Sequence, residues 1–188
     1  KCVIFPHKNP DGDALGSTLA LRHFLHKKGH DCQVISPNEY PKFLAWMPGQ
    51  ENILCFNKEE MMCRKHIEEA DLFFTLDFNA LGRIAPIDQW IEKADTTVVM
   101  IDHHEAPQDY ASLMYSDPSL GSTCEMVYNV LTALDAKGIT QDIATCIYTG
   151  IMTDSGSFRF SSTTAKTHRV VAHLLDSGID HSKIHQHI

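Results

Sequence analysis

The chain has 188 residues, 43% of them hydrophobic and 21% charged, and a formal net charge of −8. That supplies core for one large domain or two small ones, while no apolar run approaches the ~20 residues of a membrane span. The acidic balance argues against a binder of long DNA or RNA, which advertises itself with a basic field. In chain order, residues 2–6 read as a strand and residues 14–28 as a helix stopped by Gly29. Residues 32–35 and 53–56 are strand candidates, and residues 58–70 a helix with a polar Lys, Glu and Arg face. Residues 72–76 form a strand, 84–93 a helix and 97–101 a strand. This alternation predicts an α/β fold: a mostly parallel sheet with helices on both faces. A helical C-terminal part follows. Ser122 and Glu125 have capping-box spacing, ahead of the stripe Val127, Val130, Leu131 and Leu134. Ile143, Ile147 and Ile151 form a second stripe, Val171, Leu174 and Leu175 a third up to Gly178, and another helix opens at Asp180.

The six cysteines, at 2, 32, 55, 63, 124 and 146, include no Cys-x-x-Cys pair. They read as small buried apolar residues in a reducing compartment, which places the protein in the cytoplasm. Met61, Met62, Trp46 and Trp90 read as core filler, and His23, His26 and His30 as a solvated face. His181, His185 and His187 read as exposed histidines rather than a metal site. The segment after Asp13 lacks Gly-x-Gly-x-x-Gly spacing, so no nucleotide cofactor is expected.

Chemistry concentrates at strand ends. His7, Asp11 and Asp13 follow the first strand, Asp77 follows residues 72–76, and Asp102, His103 and His104 follow residues 97–101. Open parallel sheets build their sites outside the carboxyl ends of their strands. Asp154 falls in Thr-Asp-Ser-Gly-Ser, which reads as a loop after a helix. Each piece has a plainer reading, since His-x-x-x-Asp-x-Asp before a helix also suits a turn and an N-cap. Together they gather four carboxylates and two imidazoles, which repel unless cations compensate them. Oxygen and imidazole donors without thiolate suit Mn²⁺, with Mg²⁺, Co²⁺ or Fe²⁺ as alternatives. The donors suffice for two ions, and two metals about 4 Å apart suit phosphoryl chemistry.

The segments HKNPDGDALGS, Leu76-Asp77, Asp102-His103-His104 and GIMTDSGSF resemble, in order, the four motifs of the DHH phosphoesterases. The likeness runs from about residue 3 to 165, and SGSFRFSSTT looks most similar to the branch that degrades very short RNAs and 3′-phosphoadenosine 5′-phosphate (pAp). The resemblance implies a two-metal phosphoesterase of short oligoribonucleotides or pAp, with a metal-activated water. It implies His7 and Asp11 on one metal, Asp13, His103 and Asp154 on the other, and Asp77 bridging both. It gives His104 the substrate phosphate, Asp102 a supporting role and Arg159 a phosphate contact. Branch members carry a second domain with a GGGH motif, which is not found here, so residues 1–188 are expected to form the DHH catalytic domain alone. Another DHH activity, on pyrophosphate, polyphosphate or linear products of cyclic dinucleotides, is the alternative enzyme. A nucleotide-binding module without turnover is the non-enzymatic one.

Overall fold

The computed structural model describes all residues from Lys1 to Ile188. Six strands form one sheet: β1 (Cys2–Phe5), β2 (Cys32–Ser36), β3 (Leu54–Cys55), β4 (Leu72–Leu76), β5 (Thr97–Asp102) and β6 (Leu113–Ser116). Their order is β3-β2-β1-β4-β5-β6, and every pairing is parallel. From β1 the chain winds outward through β2 and β3, then returns to the other side of β1 and winds outward through β4 to β6. The reversal lies between β1 and β4, the point at which open α/β sheets leave a crevice.

Both faces of the sheet are covered, as the alternation of apolar side chains along β1 requires. Cys2 and Ile4 enter one core with α1 (Gly12–Lys27), α4 (Thr123–Leu134), α5 (Gln141–Asp154), α6 (Ala165–Asp176) and α7 (His181–His187). Val3 and Phe5 enter a second core with α2 (Phe56–Glu68) and α3 (Asp88–Lys93). The predicted α/β architecture with a helical C-terminal part is therefore what the chain builds.

Several expectations change. Residues 84–93 are not one helix. A 3₁₀ turn at Leu81–Ile84 is followed by Ala85 in an extended conformation and then by α3. Pro86 explains the break, because the residue before a proline is pushed out of the helical region. Asp154 is not in a loop but is the last residue of α5. The Ser122–Glu125 capping box is half made: Ser122 Oγ accepts from the Glu125 N–H at 3.2 Å, while the Glu125 carboxylate accepts from Thr167 Oγ at 2.9 Å. The reciprocal box forms at the start of α6, between Thr164 and Thr167. His23 is partly buried, with Nε2 2.9 Å from the Pro48 carbonyl. Met61 and Met62 are exposed on α2 rather than in a core.

The cysteine reading also needs correction. Cys2 and Cys32 are joined in a disulfide, whereas Cys55, Cys63, Cys124 and Cys146 are free. Thirty residues of separation hide the pair in sequence. The register of β1 on β2 sets the two directly opposite each other, with Cα atoms 4.6 Å apart, within the span a disulfide bridges.

Candidate metal centre

Sheet register assembles the site. Phe5 pairs with Thr75, so two residues further on His7 comes beside Asp77. Leu76 pairs with Ile101, so Asp77 also comes beside Asp102 and His103. Asp77 leaves its strand at φ 68°, a left-handed conformation uncommon for non-glycine residues and costly by about 1 kcal/mol or more. Its N–H bonds the Ile101 carbonyl at 3.1 Å.

From α1, Asp11 is the N-cap, its Oδ1 accepting from the N–H groups of Asp13 and Ala14 at 3.0 Å each. Capping uses only one of its oxygens, and the second, Oδ2, lies 3.8 Å from His7 Nε2. Asp13 is fully buried and faces the N-terminus of α4, where the N–H groups of Thr123 and Cys124 donate to it at 2.6 and 2.8 Å. Helix N-termini favour negative charge in this way. Thr123 Oγ also donates to Asp77 Oδ1 at 3.0 Å. Sequence reading missed Thr123, although the cap signal at Ser122 marks the residues whose N–H groups seek an anion.

The two oxygens of Asp77 point to different neighbours. Oδ2 lies 3.5 Å from His7 Nε2, while Oδ1 lies 3.5 Å from His103 Nε2. His103 Nε2 in turn lies 3.4 Å from Asp154 Oδ2 and 3.9 Å from Asp13 Oδ2. Two groups result, His7 with Asp11 and Asp77, and Asp13 with His103 and Asp154; within each, one donor atom per residue falls within 4.8 Å of the others. Asp77, His103 and His104 make a third, overlapping group.

The donor set fits divalent cations on its hydrogen bonding. His7 Nδ1 is 2.8 Å from the Lys8 carbonyl and His103 Nδ1 is 3.3 Å from the Leu120 carbonyl. A carbonyl only accepts, so each Nδ1 carries a proton and each Nε2 is the nitrogen turned toward the carboxylates, with a lone pair to offer a cation once its own proton has left. That is how metal-binding imidazoles are held. Gaps of 3.4–3.9 Å between donor atoms exceed hydrogen-bond length. They accommodate an ion roughly 2.1 Å from each donor.

The electrostatics point the same way. Burial, followed by the charges of Asp77 and Asp154, pushes the Asp13 carboxyl well above the usual carboxylate range. Burial, followed by Asp77 and Asp11, pushes Asp154 up to about 7. Burial opposes ionisation of Asp77 too, but His103 and His7 outweigh it and hold its carboxyl low. Burial likewise opposes charge on both imidazoles, and the Asp77 carboxylate overrides it, so His7 and His103 are raised. Protons thus take up the charge compensation that cations could supply.

Beside this cluster His104 Nδ1 lies 2.6 Å from Asp102 Oδ1. The carboxylate can only accept, so His104 Nδ1 is the donor, and Asp102, itself fully buried, fixes the ring. Asp102 Oδ2 has no partner. Arg159 is not gathered in. It is exposed, and its Nε–H donates to the Gly156 carbonyl at 2.6 Å.

Residues 1–151 match the family described as DHH family, N-terminal domain. The chain belongs to the DHH family. Among DHH relatives, the bifunctional oligoribonuclease and PAP phosphatase NrnA of Thermus thermophilus is 32% identical over 176 residues, covering 94% of this chain and 50% of that protein. The protein of the same name from Bacillus subtilis is 26% identical, over 97% of this chain and 55% of its own length. The chain thus spans about half the length of the curated relatives it matches. The crystal structure of an exopolyphosphatase-related protein from Bacteroides fragilis superposes with a TM-score of 0.97 at 39% identity, covering all of this chain and 55% of that one. A putative family II inorganic pyrophosphatase from Methanococcus jannaschii shares the fold, at a TM-score of 0.71 and 19% identity, over all of this chain and 61% of its own.

Proposed function

We propose that this chain is the catalytic domain, over residues 1–188, of a two-metal hydrolase acting on short oligoribonucleotides and pAp. The observation that carries the reading is Asp77, whose two oxygens face two separate imidazole–carboxylate groups. His7 and Asp11 would hold one divalent ion, Asp13, His103 and Asp154 the second, and Asp77 both. Mn²⁺ suits these donors best, with Mg²⁺, Co²⁺ or Fe²⁺ as alternatives. Bound there, the pair would activate a water and stabilise the displaced oxygen of a phosphoester. The names of the Thermus and Bacillus relatives support the substrate class.

The chain's own groups do the rest. Thr123 and the start of α4 fix Asp13 and Asp77. Asp102 keeps the proton of His104 on Nδ1, so Nε2 is presented to the substrate phosphate as hydrogen-bond partner or proton carrier. Arg159, which uses Nε for the Gly156 carbonyl and pairs with no carboxylate, would offer its terminal nitrogens to a phosphate oxygen. None of these groups reads a base, which agrees with an acidic chain that binds short substrates rather than long nucleic acid. No helix is long and apolar enough to cross a membrane, and no membrane partner is part of the proposal. A cytoplasmic location is part of it; the Cys2–Cys32 disulfide is the feature that pulls against it.

A phosphate-release assay with Mn²⁺ against pAp, a diribonucleotide, pyrophosphate and tripolyphosphate tests the reading. Preference for the first two is expected. Preference for tripolyphosphate would favour the second reading, which the name of the Bacteroides structure supports. Release from none of them would leave a binding module.

His104→Ala should lower turnover by about 100-fold or more, the usual worth of a positioned proton carrier. Mn²⁺ content should be unchanged, since neither proposed ion rests on His104. Elemental analysis beside steady-state kinetics checks this; loss of metal in the variant would make His104 a ligand.

Mn²⁺ binding should release protons. Asp13, Asp154, His7 and His103 all have raised pKa values in the metal-free chain, so they hold protons to higher pH than ordinary groups. A metal must displace those protons. Affinity should therefore fall as pH drops from about 8 to about 6, across the value of about 7 for Asp154. Calorimetry in two buffers of different ionisation enthalpy measures the release. Affinity that is flat over this range would remove these residues from the site.

A further inference from the structure

Immediately after Asp154 the chain makes an unusual turn. Gly156, Ser157 and Phe158 have successive φ values of 56°, 58° and 66°, a run of left-handed residues that L side chains rarely adopt. The turn is tightly self-bonded. Ser157 N–H donates to the Met152 carbonyl at 2.8 Å, and the N–H groups of Arg159 and Phe160 both donate to the Ser155 carbonyl, at 2.9 and 3.0 Å. Phe158 N–H donates to Ser155 Oγ at 2.9 Å.

This arrangement carries one side chain in an unexpected place. Phe160 is 57% exposed, yet its ring is not loose. Its far edge rests on the α-carbon of Gly156, so closely that a methyl group there would fall 2.5 Å from Cζ and 2.6 Å from Cε1. Gly156 is thus required for contact as well as for conformation. Two residues of chain, at most about 7 Å, separate Gly156 from Asp154. A flat apolar ring is therefore anchored on Gly156, two residues along the chain from Asp154 and on the same Gly156 that accepts from Arg159 Nε, with much of its surface facing water. Burying a phenylalanine is the ordinary outcome of folding, and a strained turn that displays one beside a site points to ligand contact.

We propose that Phe160 is a specificity-determining residue, a stacking platform for the nucleobase of a nucleotide whose phosphate lies at the metal centre. The inference rests on the proposed phosphoesterase reading and supplies what that reading lacks, a group that contacts the base. Aromatic stacking tolerates any base, because every base has a π-face. Phe160 therefore favours nucleotides over base-free phosphates without selecting a sequence.

The test uses the Mn²⁺-loaded chain and calorimetric titration with adenosine 5′-monophosphate and with inorganic phosphate. The wild type should bind the nucleotide more tightly than phosphate. Phe160→Ala should lose about 5- to 150-fold in nucleotide affinity, the range expected for one stacked base, with phosphate affinity unchanged. Phe160→Trp should restore the preference and Phe160→Leu should not, which separates stacking from simple apolar contact. Because the ring is mostly exposed, these variants leave both cores intact. An unchanged ratio of the two affinities in Phe160→Ala would overturn the stacking role alone. A wild-type chain that binds neither probe would overturn the phosphoesterase reading, and this inference with it.

Discussion

Asp77→Asn is expected to take Mn²⁺ content from two ions per chain to fewer than one, and phosphoester turnover down by more than about 100-fold. Loss of an outer-shell partner already costs 10- to 100-fold in metal sites, and Asp77 faces both candidate ion positions directly. The substitution is isosteric. Asparagine also tolerates the left-handed backbone at φ 68°, and the acceptor for Thr123 Oγ is kept. Circular dichroism should therefore show an intact fold. Removing the charge also removes the main partner that favours charged His7 and His103. Retention of two ions at unchanged affinity would end the bridging role.

Gly16→Ala and Gly150→Ala should each cost about 3 kcal/mol of stability, at the upper end for overpacking a close contact. For a chain of this size that lowers Tm by about 6–12 °C. The helices α1 and α5 cross at these glycines. A methyl group on Gly16 would sit 2.5 Å from the Cys146 carbonyl oxygen, a backbone atom that cannot swing aside. One on Gly150 would sit 2.2 Å from Cys124 Sγ and 2.7 Å from Asp13 Oδ1. Gly150→Ala should therefore weaken Mn²⁺ binding as well as stability, while Gly16→Ala acts mainly on stability. Gly82, with nothing within 4 Å of such a methyl group, is the control, and Gly82→Ala should change stability by less than about 0.5 kcal/mol. Urea denaturation of the three variants measures this. Equal stabilities would mean that the two helices can separate without cost.

The strands that build the site were legible because each is a short apolar run ending in a polar residue, as at Leu76–Asp77 and Ile101–Asp102. From those ends the parallel sheet follows, and from the sheet the gathering of His7, Asp77 and His103. β6 escaped notice because it is a four-residue edge strand whose Leu113 and Met114 are exposed, so no buried alternation marks it. The Cys2–Cys32 pair escaped because it depends on register between strands, which local pattern does not encode. The same holds for Thr123, whose N–H and hydroxyl reach residues 110 and 46 positions away. Phe160 was hidden for the opposite reason: as an apolar residue it reads as core, and only the turn at residues 156–158 turns it outward. Arg159 came from motif resemblance alone, and its Nε–H bond to the Gly156 carbonyl leaves the terminal nitrogens for the phosphate contact proposed for it.

The central claim is that six side chains hold two ions on either side of Asp77. Crystals of the Mn²⁺-loaded chain, with diffraction recorded at the manganese absorption edge, test it most directly. Two anomalous peaks should appear about 3.5–4 Å apart, one among His7, Asp11 and Asp77 and the other among Asp13, Asp77, His103 and Asp154. A single peak, or peaks away from these residues, would contradict the account.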